Sequence, residues 1–219
     1  MLNVKVLSGS MIAVFLAVGS YLGALSRPGA AVARVGTKAL PEVAKVAQKT
    51  PSASLTISER GIGAAKLGMT FGELKKALGS TALFKVERVM VDFEGVAVSQ
   101  SGKVQYWIIY PGRTKLKDGD VIEELMTDNS NYKTAQGLGP GMTLKQAEAI
   151  YGKATLGYNT SYEPVEVLVF ANQPNKKIMF APKAEGRRYA GIYGASQGSL
   201  HQTNKYQPNA VIRQVRVVK

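Results

Sequence analysis

Two stretches of this chain repeat each other at a fixed distance. GMTFGELKKALGSTAL begins at Gly68, and GMTLKQAEAIYGKATL begins at Gly141. The offset is 73 residues, without a gap. Gly68, Met69, Thr70, Gly79 and Leu83 recur as Gly141, Met142, Thr143, Gly152 and Leu156. Phe71, Leu74, Ala77 and Leu78 face Leu144, Ala147, Ile150 and Tyr151 in the same alignment. A repeat at this spacing constrains the fold more than any single motif, because both copies must form the same supersecondary unit.

The shared residues say what that unit begins with. Thr70 with Glu73, and Thr143 with Gln146, have the spacing of a capping box. The threonine oxygen accepts from the backbone N–H three residues on, and the Glu or Gln side chain accepts from the threonine N–H. Apolar residues then recur near helical spacing for about two turns. Gly79 and Gly152 suit the left-handed residue that ends a helix. Short helices are therefore predicted over 71–78 and 144–151.

The segment TAQGLGPGMTLKQAEAIYG, residues 134–152, also invites a phosphate-loop reading. A Walker loop needs Gly-Lys-Ser/Thr after its four-residue gap, which is missing here. A dinucleotide loop needs G-x-G-x-x-G directly after a buried strand. Pro140 has no N–H to offer an anion, and the first copy, GIGAAKLGMT, keeps the capping box but few of the glycines. The glycines are read as turning the chain.

Strand patterns follow each helix. LFKVERVMVDF, GVAVSQ and KVQYWIIY follow the first, with Ser101-Gly102 as a hairpin turn between the last two. TLGYN, VEVLVFA, KIMFAP, YAGIY and AVIRQVRVV follow the second, with residues 198–209 read as a loop. Residues 116–126 fit either a strand or a short helix. The predicted class is α+β: two tandem repeats, 59–128 and 129–219, each a short capped helix followed by an antiparallel sheet, with the two small sheets packed together.

The N-terminus has a different character. Lys5 precedes an apolar run that meets no charge until Arg27, and Ala31-Val32-Ala33 fits a small-x-small cleavage pattern. Residues 1–33 are read as a signal peptide or N-terminal anchor. The core from Met11 to Leu25 is short against the ~20 residues a membrane span needs. Residues 34–58, rich in Ala, Lys, Ser, Thr and Pro, read as a flexible linker.

The G-M-T-x-x-E/Q…G helix followed by meandering strands, in tandem, resembles the β-lactamase inhibitor protein. It is also similar to the BamE-like outer-membrane assembly modules, and to uncharacterised secreted bacterial proteins that share the helix motif. The matched cores cover only about 30 of the 219 residues. The resemblance implies an envelope protein that binds other proteins through a sheet face or loops. This chain departs from both families: it lacks the cysteine that carries a lipid anchor and the cysteines of the inhibitor's disulfides.

Composition narrows the chemistry. The chain has no cysteine and one histidine, His201. That excludes a thiolate nucleophile, a disulfide framework and a multi-histidine metal site within one chain. The formal charge is +13. It is uneven: residues 59–128 hold 10 basic and 10 acidic residues, whereas residues 129–219 hold 12 and 4.

Four cations in the second half pair up in predicted turns, as Lys176-Lys177 and Arg187-Arg188. They are candidates for docking an anionic envelope component or an acidic protein. In VQYWIIY, Val104, Tyr106, Ile108 and Tyr110 are assigned to one strand face and Gln105, Trp107 and Ile109 to the other, which makes Trp107 the second binding candidate. The acidic run DGDVIEELMTD fails the spacing of a calcium loop and reads as a solvated face. His201 has no partner at a triad spacing and reads as a loop residue. No catalytic residue, metal ligand or cofactor is assigned.

The sequence thus predicts an exported, non-enzymatic binding or assembly module, acting in the periplasm, a lumen-like compartment or outside the cell. Its expected partner is a protein or an anionic envelope component, not nucleic acid. One alternative is an accessory subunit of a membrane complex, associated with the membrane through residues 4–25. The other is an envelope-polymer hydrolase, which would need two carboxylates at catalytic separation.

Overall fold

A computed structural model describes residues 55–90, 92–161, 165–195 and 198–219. The expected signal or anchor and most of the expected linker lie outside these residues. Three short strands come first, β1 (Thr56–Ser58), β2 (Gly61–Ile62) and β3 (Ala65–Lys66). Then come α1 (Phe71–Leu78), β4 (Ala82–Met90), β5 (Phe93–Gln100), β6 (Lys103–Pro111) and β7 (Glu124–Thr127). β8 (Lys133–Thr134) and α2 (Leu144–Tyr151) precede β9 (Ala154–Asn159), β10 (Val167–Phe170), β11 (Ile178–Lys183), β12 (Leu200–Thr203) and β13 (Val211–Val218). The protein is α+β, mostly strand, with two short helices among the described residues.

Both helices occupy the predicted spans, and local chemistry explains why. The Thr70 N–H donates to Glu73 Oε2 at 2.7 Å, and the Glu73 N–H donates to Thr70 Oγ1 at 3.2 Å. The Thr143 N–H donates to Gln146 Oε1 at 3.1 Å, and the Gln146 N–H to Thr143 Oγ1 at 3.2 Å. Gly79 and Gly152 end the helices at φ 60° and 74°, and their N–H groups donate to Lys75 and Glu148 carbonyls. Thr70→Ala and Thr143→Ala should each cost about 1 kcal/mol in chemical denaturation, with Thr→Ser nearly neutral.

The two caps should differ in acid. The Glu73 carboxyl is held below its ordinary value chiefly by the Thr70 backbone N–H. A lowered value means stabilisation that is present above the ordinary glutamate range, about 4.3, and is lost as pH falls below it. Gln146 does not titrate. Amide exchange in the first turn of α1 should therefore speed up below about pH 4 relative to α2.

The strands form a small sheet ordered β3-β2-β1-β8 and a nine-stranded sheet ordered β12-β9-β10-β11-β13-β7-β6-β5-β4. Every named pairing is antiparallel except β1 with β8. This corrects the expectation of two small sheets packed together. The strands after each helix join edge to edge, where Val215, Arg216 and Val217 of β13 pair with Thr127, Met126 and Leu125 of β7. The joint satisfies the backbone groups of two edges that separate sheets would leave open.

One face of the large sheet carries the core. Ile108, Leu125, Leu156, Ile212, Val215 and Val217 are fully buried with Leu74 of α1 and Leu144 and Ala147 of α2. Phe170 and Phe180 meet edge to face at 5.6 Å, and Tyr151 of α2 lies 6.0 Å from Phe170. Ile57 and Ile62 of the small sheet join the same core. The linker expected over 34–58 therefore ends too late: Thr56–Ser58 form β1, and Ile57 is buried.

Other local expectations divide. Ser101 and Gly102 turn the β5–β6 hairpin at φ 51° and 73°, the geometry of a type I′ turn. Of the undecided residues 116–126, Glu124 to Met126 belong to β7. YAGIY makes only a single antiparallel bridge, Gly191 with Tyr206, and is not a strand; the Ala190 and Gly191 N–H groups are taken by a side chain, Glu166. The loop expected over 198–209 contains β12, which pairs with β9. The glycine segment does turn the chain: Gly137 and Gly141 sit at φ 88° and 84°, and the Gly141 N–H donates to the Ile212 carbonyl.

Candidate functional site

The face of the large sheet opposite the helices carries Trp107. Its position follows from register: Trp107 lies opposite Ala97 on β5 and Met126 on β7. Tyr106, Ile108 and Tyr110 point to the core side and are buried, as the alternation predicts. Val104 does not follow them. A register shift leaves Gln105 unpaired, with Tyr106 opposite Val98 and Val104 opposite Ser99, so the bulge moves Val104 off the core face.

Trp107 is half-buried and fixed in place. Its Nε1–H donates to Glu87 Oε2 at 3.2 Å. The Glu87 carboxyl is held below its ordinary value mainly by that indole N–H, with help from Lys85 at 3.2 Å. Gly95 makes room beside the ring, since a Cβ there would meet Val89 Cγ1 at 2.8 Å and Trp107 Cδ1 at 3.2 Å. Further along the same face, Arg216 lies opposite Met126 and donates to Glu124 Oε1 at 2.6 Å. This pair is mostly shielded from solvent, with side-chain exposures of 21% and 17%. By register Leu83 and Val169 lie on this face too, and both are exposed, at 71% and 45%.

The basic pairs are both in loops, as expected, but they are not together. Lys176 and Lys177 lie in the turn before β11, and Arg187 and Arg188 lie in the loop after it. A six-residue strand spans roughly 17–20 Å, beyond the screening length of about 8–10 Å at physiological salt. The four cations thus form two separate pairs rather than one cluster. Arg188 stands 5.3 Å above the Tyr189 ring.

His201 is not a loop residue. It lies in β12 and stacks on Tyr158 at 4.6 Å, while Tyr189 stacks on that ring at 4.2 Å. Tyr193 meets Tyr158 edge on at 4.8 Å. The sequence reading missed Glu166, which holds this segment: it accepts from the Ala190 N–H at 2.7 Å, the Gly191 N–H at 2.8 Å and the Tyr193 hydroxyl at 2.7 Å. Burial and that carboxylate push the Tyr193 hydroxyl pKa strongly upward. The acidic run is dispersed rather than gathered. Asp118 pairs with Lys75, Glu124 with Arg216 and Glu123 with Lys219. Among the described residues no group of three or more His, Asp or Glu is placed to hold a metal ion.

The fold and this face define an α+β protein dominated by one broad antiparallel sheet. Comparison with family models, curated proteins and solved structures gives no match to this chain.

Proposed function

We propose that this chain is an exported, non-enzymatic binding or assembly module of the cell envelope, which docks a partner protein on the outer face of its large sheet around Trp107. The observation that carries the reading is the preorganised Trp107 patch. An indole fixed by Glu87 and seated over Gly95, beside a shielded Arg216–Glu124 pair, is the kind of rigid aromatic and arginine anchor that carries binding energy at protein interfaces. The exposed Leu83 and Val169 add apolar surface to the same face, two strands from Trp107 on one side and four on the other. The paired cations at the two ends of β11 steer an anionic partner or envelope component and set the salt dependence of association.

We also read the chain as two tandem repeats. Matching hydrogen bonds support this. The Gly68 and Gly141 N–H groups donate to the Ile122 and Ile212 carbonyls, and the Ile122 and Ile212 N–H groups donate to the Met69 and Met142 carbonyls. The Phe71 and Leu144 N–H groups donate to Asp120 and Ala210. The segment before each helix is thus tied to the approach of the last strand in its half.

A photo-crosslinking residue placed at Leu83 or Val169 should capture a discrete envelope protein in the native cell, while one at the exposed Ile150 of α2 should not. Equal capture from Ile150 would remove the sheet face as the docking site. Cell fractionation of the same strains reads out export.

A further inference from the structure

A cleft opens on the helix side of β4–β6, across the sheet from Trp107. Phe71, Phe84, Val86, Tyr110 and Leu116 form its apolar floor, and its volume is about 660 Å³. That lies within the ~300–1,000 Å³ of small-molecule sites. Val86 remains 59% exposed there. The cleft stays open because only residues 112–123 join β6 to β7. In the other half, residues 184–210 join β11 to β13, and their aromatic side chains pack on Tyr158.

The lip of the cleft is cationic. Lys75, Arg113 and Lys115 line it. Lys75 pairs with Asp118 and stands 4.8 Å over the Phe71 ring. Neither Arg113 nor Lys115 is in a salt bridge among the described residues. The one acidic side chain in the lining, Glu94, accepts from the Tyr110 hydroxyl at 3.1 Å. Arg113 is also held at φ 67°, in the left-handed region that favours glycine. The turn around it is fixed, since the Gly112 N–H donates to the Asp92 carbonyl at 2.8 Å and Thr114 Oγ1 donates to the Pro111 carbonyl at 2.6 Å. Unlike Ser101, which the β5–β6 hairpin turn accounts for, Arg113 sits at the rim of a cleft, and backbone strain of this kind clusters at functional sites. Folding alone favours glycine here.

We propose that this cleft binds a single-chain amphipathic anion, a fatty carboxylate in its simplest form. The chain lies on the Phe71–Phe84–Val86 floor and the headgroup sits between Arg113 and Lys115. The cation over the floor, Lys75, is paired with Asp118, whereas Arg113 and Lys115 at the lip are in no salt bridge among the described residues, so the two parts fix the ligand's orientation. Arginine's planar fork suits a carboxylate by paired hydrogen bonds. This inference is independent of the docking reading for Trp107, which lies on the other face.

The test is calorimetric titration of the purified protein with sodium decanoate, below its micelle concentration, against decyltrimethylammonium. The wild type should bind decanoate saturably at one site and the cation at none. Val86→Glu, at an exposed position, should weaken decanoate binding at least ten-fold. Arg113→Gly should do the same while raising the melting temperature, because glycine takes this φ without steric cost. Equal binding of the cation, or unchanged decanoate affinity in Arg113→Gly or in Val86→Glu, would overturn the proposal.

Discussion

Deleting residues 211–219 is expected to unfold the protein. These residues include β13, which is not a terminal edge but an interior strand, hydrogen-bonded to β11 on one side and β7 on the other. Ile212, Val215 and Val217 are each 0% exposed. Fully burying one aliphatic side chain stabilises by roughly 1.5–3 kcal/mol, so three contribute roughly 5–9 kcal/mol before the ladder bonds are considered. That is comparable with the whole stability of a domain, about 5–15 kcal/mol. The deletion would also expose the edges of β7 and β11 to intermolecular pairing. Circular dichroism melting and soluble yield should both report the loss. A cooperative melt within a few degrees of the full chain would mean that the two halves fold without this joint.

Glu166→Ala should also be strongly destabilising, but locally. Glu166 is buried at 8% exposure and satisfies two backbone N–H groups and the Tyr193 hydroxyl. The Ala190 and Gly191 N–H groups are buried and each orphaned buried donor costs about 1–3 kcal/mol, so the substitution should cost at least about 2 kcal/mol. Glu166→Gln keeps the shape and one acceptor oxygen and should cost less. The exposed Arg187 and Arg188 lie just ahead of the clasp. Trypsin should therefore cut there much faster in Glu166→Ala, before the rest of the chain opens. Unchanged cleavage would show that the segment is held by its aromatic contacts alone.

What the sequence revealed was the part written locally. Thr70 and Glu73, or Thr143 and Gln146, are three residues apart, and their hydrogen bonds depend on little else. Ser101-Gly102 specified its turn for the same reason. The alternation through Tyr106, Ile108 and Tyr110 identified a core face, and Trp107 on the other. Most of the failures involve distant partners. Tyr189 to Tyr193 has the composition of a strand, but Glu166, 24 positions before Ala190, takes two of its backbone donors. Nothing near His201 indicates that β9 will recruit it. The β7–β13 joint depends on residues about 90 positions apart, such as Leu125 and Val217. Arg113 gives no local sign of its left-handed backbone beyond the Pro111-Gly112 turn before it. The separation of the two basic pairs could not be read either, since adjacency in a charge count says nothing of the strand between them.

Docking on the outer sheet face is tested by an affinity measurement with the partner captured by the crosslinks. Binding of the purified partner should be compared for wild type, Trp107→Ala, and the variant with glutamate at Lys176, Lys177, Arg187 and Arg188. Trp107→Ala should weaken binding by at least about 2 kcal/mol, roughly thirty-fold, at every salt concentration. The charge variant should lose most at low salt and little at high salt. Wild-type affinity in Trp107→Ala, with melting unchanged, would contradict the account and assign the outer sheet face no part in binding.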